Sequence, residues 1–430
     1  MPAGRRELHA MRLLPSKNEV NCYRCRFCGS ESTHTFVDLG MSPLCESYLT
    51  FEQLNQMEPF YPLHVYACDK CFLVQLEEYV NPEEIFSEYA YFSSYSQTWL
   101  EHASAYTDMI VERYHIDASS HVVEIASNDG YLLQYFVNKG IPVLGIEPAK
   151  NIARVANKKG ISTQAEFFGL RIARELASAD NCADLLIGNN VLAQVPYLND
   201  FVEGMKILLK PEGVITMEFP HLLRLIEGNQ FDTIYHEHFS YFSFFTVEKI
   251  FAAHNLTIFD VEELSTHGGS LRIYARHTED TSRPINQSVT EMRAKEEIAG
   301  ITNVKQYIAF SEKVKETKRK LLDFLIEIKE RGKSVAGYGA PGKGNTLLNY
   351  CGIRTDFIDF TVDRNPYKQG KYTPGTHIPI FAPDKIEEAK PDYLLILPWN
   401  FKDEIMNQMS HIRRWGGQFV TPIPEVKVYP

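Results

Sequence analysis

VVEIASNDG, residues 122–130, reads as a strand that runs into a short polar turn, with a helix opening at about Gly130. A second strand, VLGIEP (143–148), follows it. Then come a helix over 149–159, the apolar run DLLIG (184–188), a helix over 199–209 and the strand GVITMEF (213–219). Strands and helices alternating in this way build a parallel sheet covered by helices. Upstream, SQTWLEHASAYTDMIVERY (96–114) spaces its apolar residues as one face of a helix does. Downstream, a helix around 242–253 and strands around 256–262 and 271–276 complete the unit, and 288–332 is charged and helical. A second β/α series opens with SVAGYG (334–339) and continues through FTVD (360–363) and YLLILP (393–398). The expected class is α/β, with a small N-terminal module, a central Rossmann-like domain and a second Rossmann-like domain at the C-terminus. The boundaries expected are an extension over 1–21, the module over 22–87, the central domain over 88–283, a helical connector over 284–332 and the last domain over 333–430.

Composition narrows the functions available. The chain has 430 residues, enough for two to four domains of about 100–200 residues. Apolar residues make up 44% and charged residues 23%, the balance of a folded globular chain. No run approaches the roughly eighteen apolar residues of a membrane helix, and Met11–Leu14 is too short for a secretory signal core. Against 44 Lys and Arg stand 55 Asp and Glu, a formal charge of −11 with no basic tract, so nucleic acid is not an expected partner. Neither a membrane nor an obligate protein partner is expected, and the expected location is the cytoplasm.

Eight cysteines are too few for a disulfide scaffold, yet six of them fall within the first 71 residues. Cys25-x2-Cys28 and Cys68-x2-Cys71 present two thiolate pairs at the same spacing. Four thiolates satisfy the tetrahedral demand of Zn²⁺ and leave no open position, which predicts a structural site rather than a catalytic one. Cys22 and Cys45 are spare candidates.

The turn after residue 125 resembles the E/D-x-G-x-G-x-G turn of class I S-adenosylmethionine methyltransferases, beginning at Glu124. Ala126 and Asn128 stand where glycines are usual, and Gly130 keeps the last small position, where backbone can approach a ligand. Glu147, followed by Pro148, ends the second strand, where an acid can accept hydrogen bonds from both ribose hydroxyls of an adenosyl group. NAD-binding domains use the same geometry, so NAD stays open on these residues alone. Asn189 and Asn190 leave the third strand at the carboxyl end of the sheet, and the K-P-x-G turn of KILLKPEGVITMEFP (206–220) is typical of these methyltransferases. By the same resemblance Asn190 lies near the methionine portion and Phe167–Phe168 near the adenine.

FDTIYHEHFSYFS (231–243) gathers Tyr235, His236, Glu237 and His238. If extended, it places Tyr235 and Glu237 on one face and the two histidines on the other. Histidine exchanges protons near neutral pH, and a neighbouring carboxylate orients it. Two histidines at this spacing also suit a metal or a plain polar edge, whereas the H-E-x-x-H of zinc proteases is absent. EYAYFSSYSQTWLEHA (88–103) lies at a domain junction, where Tyr89, Tyr91 and Ser93 can close over a cofactor or simply pack. THGGSLRIYA (266–275) adds His267 before a strand. In SVAGYGAPGKGNTLLNY (334–350) the glycines expose backbone N–H groups at a helix start, an anion site. Gly344 replaces the Ser or Thr of a phosphate loop, which argues against an NTPase; given the rest of the chain, the diphosphate of a sugar nucleotide is the better fit, with Lys343 placed to contact it, ahead of NAD and of a Rossmann repeat that only packs.

Together, the paired C-x2-C sets, Y-x-Y-F-S-S-Y-S-x-T-W-L-x-H-A, E-I-A-S-N-D-G-Y-L-L, G-I-E-P, Y-H-E-H-F-S-Y-F-S, H-G-G-S-L-R and G-Y-G-A-P-G-K-G-N-T resemble the sugar C-methyltransferases of deoxysugar pathways, from Cys25 to the C-terminus. Gln194 departs from the histidine expected after V-L-A. The resemblance implies a zinc-binding N-terminal domain, a central S-adenosylmethionine domain and a C-terminal domain that helps hold a nucleotide-linked (dTDP or GDP) 4-keto-6-deoxysugar, methylated at C3. It implies His238 as the base, assisted by Tyr235, Glu237 and Tyr91. His267, Gly339, Lys343 and Asn345 are expected to bind substrate. Carbon methylation beside a ketone needs a base at the carbon, a donor at the ketone oxygen and a methyl group held in line, and no catalytic metal. An NAD-dependent oxidoreductase, a sugar O-methyltransferase and a non-enzymatic zinc scaffold are the alternatives.

Overall fold

The computed structural model describes residues 23–31, 33–86 and 92–430. Tyr89 and Tyr91 lie outside the described residues, as does Cys22. The N-terminal part carries strands β1 (Thr33–Ser42), β2 (Tyr61–Cys68) and β3 (Val74–Leu76). Then come β4 (Val122–Ile125), β5 (Val143–Ile146), β6 (Thr163–Gln164), β7 (Ala183–Asn189) and β8 (Leu209–Pro220). Next are β9 (Ser240–Tyr241), β10 (Leu256–Leu264) and β11 (Ser270–His277). The last six are β12 (Val335–Tyr338), β13 (Thr361–Val362), β14 (Ile380–Phe381), β15 (Tyr393–Ile396), β16 (Gln418–Thr421) and β17 (Lys427–Tyr429).

These strands make three sheets. The central one runs β10-β11-β8-β7-β4-β5-β6. It is parallel from β6 to β8, and β11 is antiparallel to its neighbours. Its inner strands are apolar throughout, and β4 is buried at all four positions because helices cover both faces. The chain leaves β4 first toward β5 and later returns to β7, so the crevice between β4 and β7 opens at their carboxyl ends, where such folds bind ligands. The C-terminal sheet repeats the plan in the order β14-β13-β12-β15-β16-β17, parallel apart from the β16–β17 pair.

The helix Gln97–Tyr114 starts where the Ser96 side chain accepts from Trp99 N and ends at His115 in the left-handed region, φ 53°. It buries Ala103, Tyr106, Thr107 and Ile110, the i, i+3, i+4, i+7 stripe of one face. The helical stretch read over 288–332 is two helices, Gln287–Ile298 and Val304–Glu330, separated at Gly300, whose φ of +77° no α-helix accommodates. The second of these stacks Phe310 on Phe36 of β1, ring centroids 4.6 Å apart, and shares one apolar core with the first and third sheets.

The first sheet is antiparallel, in the order β1-β2-β3-β9. Its last strand comes from the 231–243 segment, far along the chain. Cys25, Cys68 and Cys71 are buried in the core that also holds β8 and the helix Phe244–Ala253. Among the described residues, no helix is long and apolar enough to cross a membrane.

Candidate active site and zinc centre

The four sulfurs of Cys25, Cys28, Cys68 and Cys71 lie within 4.8 Å of one another, with Cys25–Cys71 at 3.4 Å and Cys28–Cys68 at 3.6 Å. Zn–S bonds of about 2.3 Å in a tetrahedron place sulfurs about 3.8 Å apart, so the cluster fits Zn²⁺ with a closed shell of thiolates. Cys45 is not a member; it lies at the cavity described next.

A cavity of about 430 Å³ opens at the carboxyl ends of the central strands, between the zinc module and the C-terminal sheet. One end is built by the turn after β4. Ala126 (φ 57°) and Asn128 (φ 48°) adopt the left-handed conformation that explains the usual glycines, and Asn is a tolerated substitute. Glu147, at the end of β5, holds this turn: Oε2 accepts from Asn128 N and Oε1 from Ala149 N, each at 2.9 Å. Burial pushes its carboxyl up to about 7, opposed by those two N–H groups. Ser93 N donates to Asn128 Oδ1 at 2.9 Å and Ser94 bonds Asp129, docking the 93–95 segment on the turn. Pro148, Phe167, Phe168, Asn189 and Asn190 also line this end. Asn190, at φ 55°, has a buried Oδ1 with no hydrogen-bond partner. An acid beside a left-handed turn, an unpartnered amide oxygen and aromatic walls fit an adenosyl group and an amino-acid tail.

The other end carries titratable side chains from the 231–243 segment. Residues 235–238 are not extended. His238 N donates to Tyr235 O at 2.9 Å, closing a turn that brings Tyr235, Glu237 and His238 all to the cavity. His236 points away, bonding Pro62 O at 3.2 Å with its ring edge-on to Tyr61. The Tyr235 and His238 rings lie 4.3 Å apart. Burial pushes the His238 imidazole down to about 4, opposed by the Thr233 backbone and assisted by His267 and Lys343, which keeps it a neutral base. Burial also raises the Tyr235 phenol well above its usual range, so it stays a proton donor.

His267 enters from the loop before β11, in a left-handed conformation, with its ring edge-on to Trp99 at 5.3 Å. Behind this wall lies Glu218, fully buried, which takes hydrogen bonds from His102, Arg272 and Thr266, each at 2.9 Å. Burial opposes its ionisation, but these partners win and hold the carboxyl below its ordinary value. The C-terminal domain supplies Gly342, Lys343 and Lys368, and the zinc module supplies Cys45 and Glu46.

Four residues expected at ligands do not line the cavity. Glu124 is wholly buried in β4, where burial holds its carboxyl well up, opposed by hydrogen bonding with Tyr131. Gly130 (φ +77°) answers to packing: a Cβ there would lie 2.3 Å from Ile161 Cδ1. A Cβ on Gly339 would meet Pro398 at 2.6 Å. Asn345 is buried and donates to Cys45 O at 2.6 Å, tying the C-terminal helix to the zinc module. Sequence reasoning missed Trp99, Lys368 and Cys45, which line the cavity, and Trp399, whose ring lies 4.8 Å from the Lys343 ammonium. Trp399 follows β15 at a carboxyl end, the one signal that pointed to it.

Three sequence families match in chain order. These are a zinc binding domain over residues 25–86, a methyltransferase domain over 99–261 and a C-methyltransferase C-terminal domain over 265–424. The chain is 35% identical over 404 residues to the C-methyltransferase NovU of Streptomyces niveus, covering 94% of this chain and 96% of that one. Among solved structures, the PH0226 protein of Pyrococcus horikoshii OT3 is 16% identical with a TM-score of 0.36, covering 47% of this chain and 99% of that one. The magnesium protoporphyrin IX methyltransferase ChlM of Synechocystis PCC 6803, with bound S-adenosylmethionine, is 13% identical with a TM-score of 0.32, covering 41% and 78%. The identity along nearly the whole chain decides the matter: this chain belongs to the family of S-adenosylmethionine-dependent C-methyltransferases.

Proposed function

We propose that the acceptor is a nucleotide-linked 4-keto-6-deoxysugar, methylated at C3, the carbon next to its ketone. The observation that carries this reading is that the Tyr235–His238 turn and the Glu147–Asn128 turn face one cavity. Glu147, Asn190 and Phe168 hold the cofactor at one end. S-adenosylmethionine, when bound, supplies an electrophilic methyl group. His238, neutral and enclosed, takes the proton from the sugar carbon, which is acidic because the charge left behind moves onto the ketone oxygen. Tyr235 donates a hydrogen bond within the same site, and Glu237 orients the pair. Tyr91, outside the described residues, is proposed as a further donor. The start of the helix Gly342–Cys351 offers positive potential to the diphosphate of the nucleotide.

The test is a mass-spectrometric screen of dTDP- and GDP-linked 4-keto-6-deoxysugars with S-adenosylmethionine, run in D₂O. A gain of one methylene, with loss of the hydrogen next to the ketone, is expected from the native chain and not from His238→Asn. Methylated product that keeps that hydrogen would mean O-methylation and would reject the carbon chemistry.

A further inference from the structure

Lys343 lies at the acid–base end of the cavity, beside His238 and His267. Its side chain is half-buried and its ammonium enclosed, which lowers its affinity for the proton, opposed by the charge of Asp232. The ammonium donates to Asn400 Oδ1 at 2.8 Å and lies 4.8 Å from the centroid of the Trp399 ring. Trp399 is fixed from behind, its Nε1 donating to Asp232 Oδ2 at 2.6 Å. Asp232 is fully buried and its other oxygen has no hydrogen-bond partner. Among the described residues, no carboxylate lies within the 4.0 Å of an ion pair from Lys343 Nζ. An ammonium has three donors, and here one is spent on a neutral amide while a ring face takes another. Buried charges are ordinarily paired, so an enclosed cation without an ion-pair partner is arranged for an anion that arrives with, or is generated from, a ligand.

The proposed substrate offers two such anions, the diphosphate and the oxygen that becomes charged on deprotonation. Lys368 is differently committed: it pairs with Glu46 at 3.3 Å and donates to Ala340 O and Tyr48 Oη, each at 2.8 Å. Lys343 instead faces the residues that handle the proton, disfavouring the cationic forms of both His238 and His267. We propose that Lys343 is a catalytic residue that stabilises the ketone oxygen as it turns into an enolate oxygen, with Asp232 and Trp399 as its positioning pair. This rests on the function proposed above. In the step, the C–H bond breaks and its proton passes to His238. The freed electron pair forms the C=C bond, and the carbonyl π pair moves onto oxygen. Lys343 holds that oxygen through an N–H···O bond without giving up its proton. On methylation the C=C pair forms the bond to the methyl group, the oxygen pair returns to the carbonyl, the broken S–C bond leaves its pair on the sulfur of S-adenosylhomocysteine, and His238 releases its proton to solvent.

The experiment separates deprotonation from methyl transfer. The full chain with zinc is mixed with dTDP-4-keto-6-deoxyglucose and S-adenosylhomocysteine in D₂O, and deuterium entry next to the ketone is followed by NMR. Lys343→Ala is expected to slow exchange and methylation together by roughly 10²–10³-fold, the usual loss for one oxyanion donor. Binding of the sugar nucleotide should weaken less than about tenfold, because the enolate is absent from the ground state. Lys343→Arg should recover part of the exchange, and added ethylammonium should raise the rate of the Ala variant. Lys343→Gln, close in size, gives the same reading should the Ala variant fail to fold. Trp399→Phe, which keeps the ring but not the Asp232 bond, should lower kcat with KM nearly unchanged. Binding weakened as much as kcat/KM, with kcat intact at saturation, would make Lys343 a diphosphate ligand and overturn the proposal. Native exchange rates in the Lys343 variants, with His238→Asn inactive, overturn it alone. Absence of exchange in the native chain, or full exchange in His238→Asn, overturns the function it rests on.

Discussion

Cys45 Sγ lies 3.8 Å from Glu237 Oε1, so a thiol of the zinc module meets the 235–238 turn directly. The thiol also lies against the C-terminal helix, where a Cβ added at Gly342 would come within 2.8 Å of it. The carbonyl of Cys45 is held by Asn345, which limits how far the residue can retreat. Gly342→Ala is therefore expected to push the thiol toward Glu237. Overpacking of this kind costs about 1–3 kcal/mol. A melting temperature lowered by a few degrees and a kcat/KM lowered about tenfold are expected. Steady-state kinetics beside thermal melts check both, and a variant indistinguishable from the native chain would count against this contact.

Zinc analysis of the purified chain should return one metal per molecule. Because Cys25, Cys68 and Cys71 belong to the core that contains β8, chelation is expected to lower the melting temperature of the whole chain. Cys71→Ser should lose the metal and lower the melting temperature in the same way. Metal loss that left the melting curve unchanged would show the module to be energetically separate.

Glu147, proposed to hold the cofactor, is expected to make cofactor affinity depend on pH. Its carboxyl in the free protein is pushed up to about 7 by burial, and the ionised form is the one suited to accept from ribose hydroxyls and two backbone N–H groups. Below pH 7 the free protein is increasingly protonated, so S-adenosylmethionine should bind progressively more weakly, up to about tenfold per pH unit. Glu147→Gln should bind it at least about tenfold more weakly at pH 8, as expected for lost hydrogen bonds to a charged group, and with a flatter pH profile. Titration calorimetry from pH 5.5 to 8 checks both (the range is set about the value near 7).

His236 is expected to contribute to acid sensitivity. Burial pushes its imidazole down to about 4, opposed by bonds with the Pro62 and Tyr61 backbones. Between about pH 6.5 and 4 the unfolded chain therefore holds a proton at this residue that the folded chain does not, and folding stability falls as pH falls. His236→Gln removes that proton uptake. Relative to the native chain it should lose less stability on acidification, by up to about 1.4 kcal/mol per pH unit in this window. Urea unfolding at several pH values measures the difference, and parallel curves would place the proton elsewhere.

The β/α order was legible because buried parallel strands are continuous apolar runs: VVEI, DLLIG and YLLI announce themselves without partners. The thiolate pairs were legible because metal ligands from two tight turns keep a fixed spacing. Alternation failed at 235–238, where one backbone hydrogen bond turns the chain and brings Glu237 and His238 to the same side. The last small position of the turn, Gly130, suggests room for a ligand, whereas its neighbour is Ile161, 31 residues away. Pairings such as Asp232 with Trp399 span 167 residues and leave no local pattern to read. Such contacts depend on how whole domains dock, and neither periodicity nor motif spacing encodes them.

The pairing of β3 with β9 stitches the segment bearing Tyr235 and His238 to the edge of the metal-binding sheet. The two regions therefore cannot diverge independently: a substitution that shifts one edge shifts Tyr235 and His238 with it. A chimera that grafts this module from a relative would have to bring the matching edge strand along. Swapping acceptor preference within the family is thus a problem of exchanging interwoven halves rather than cassettes.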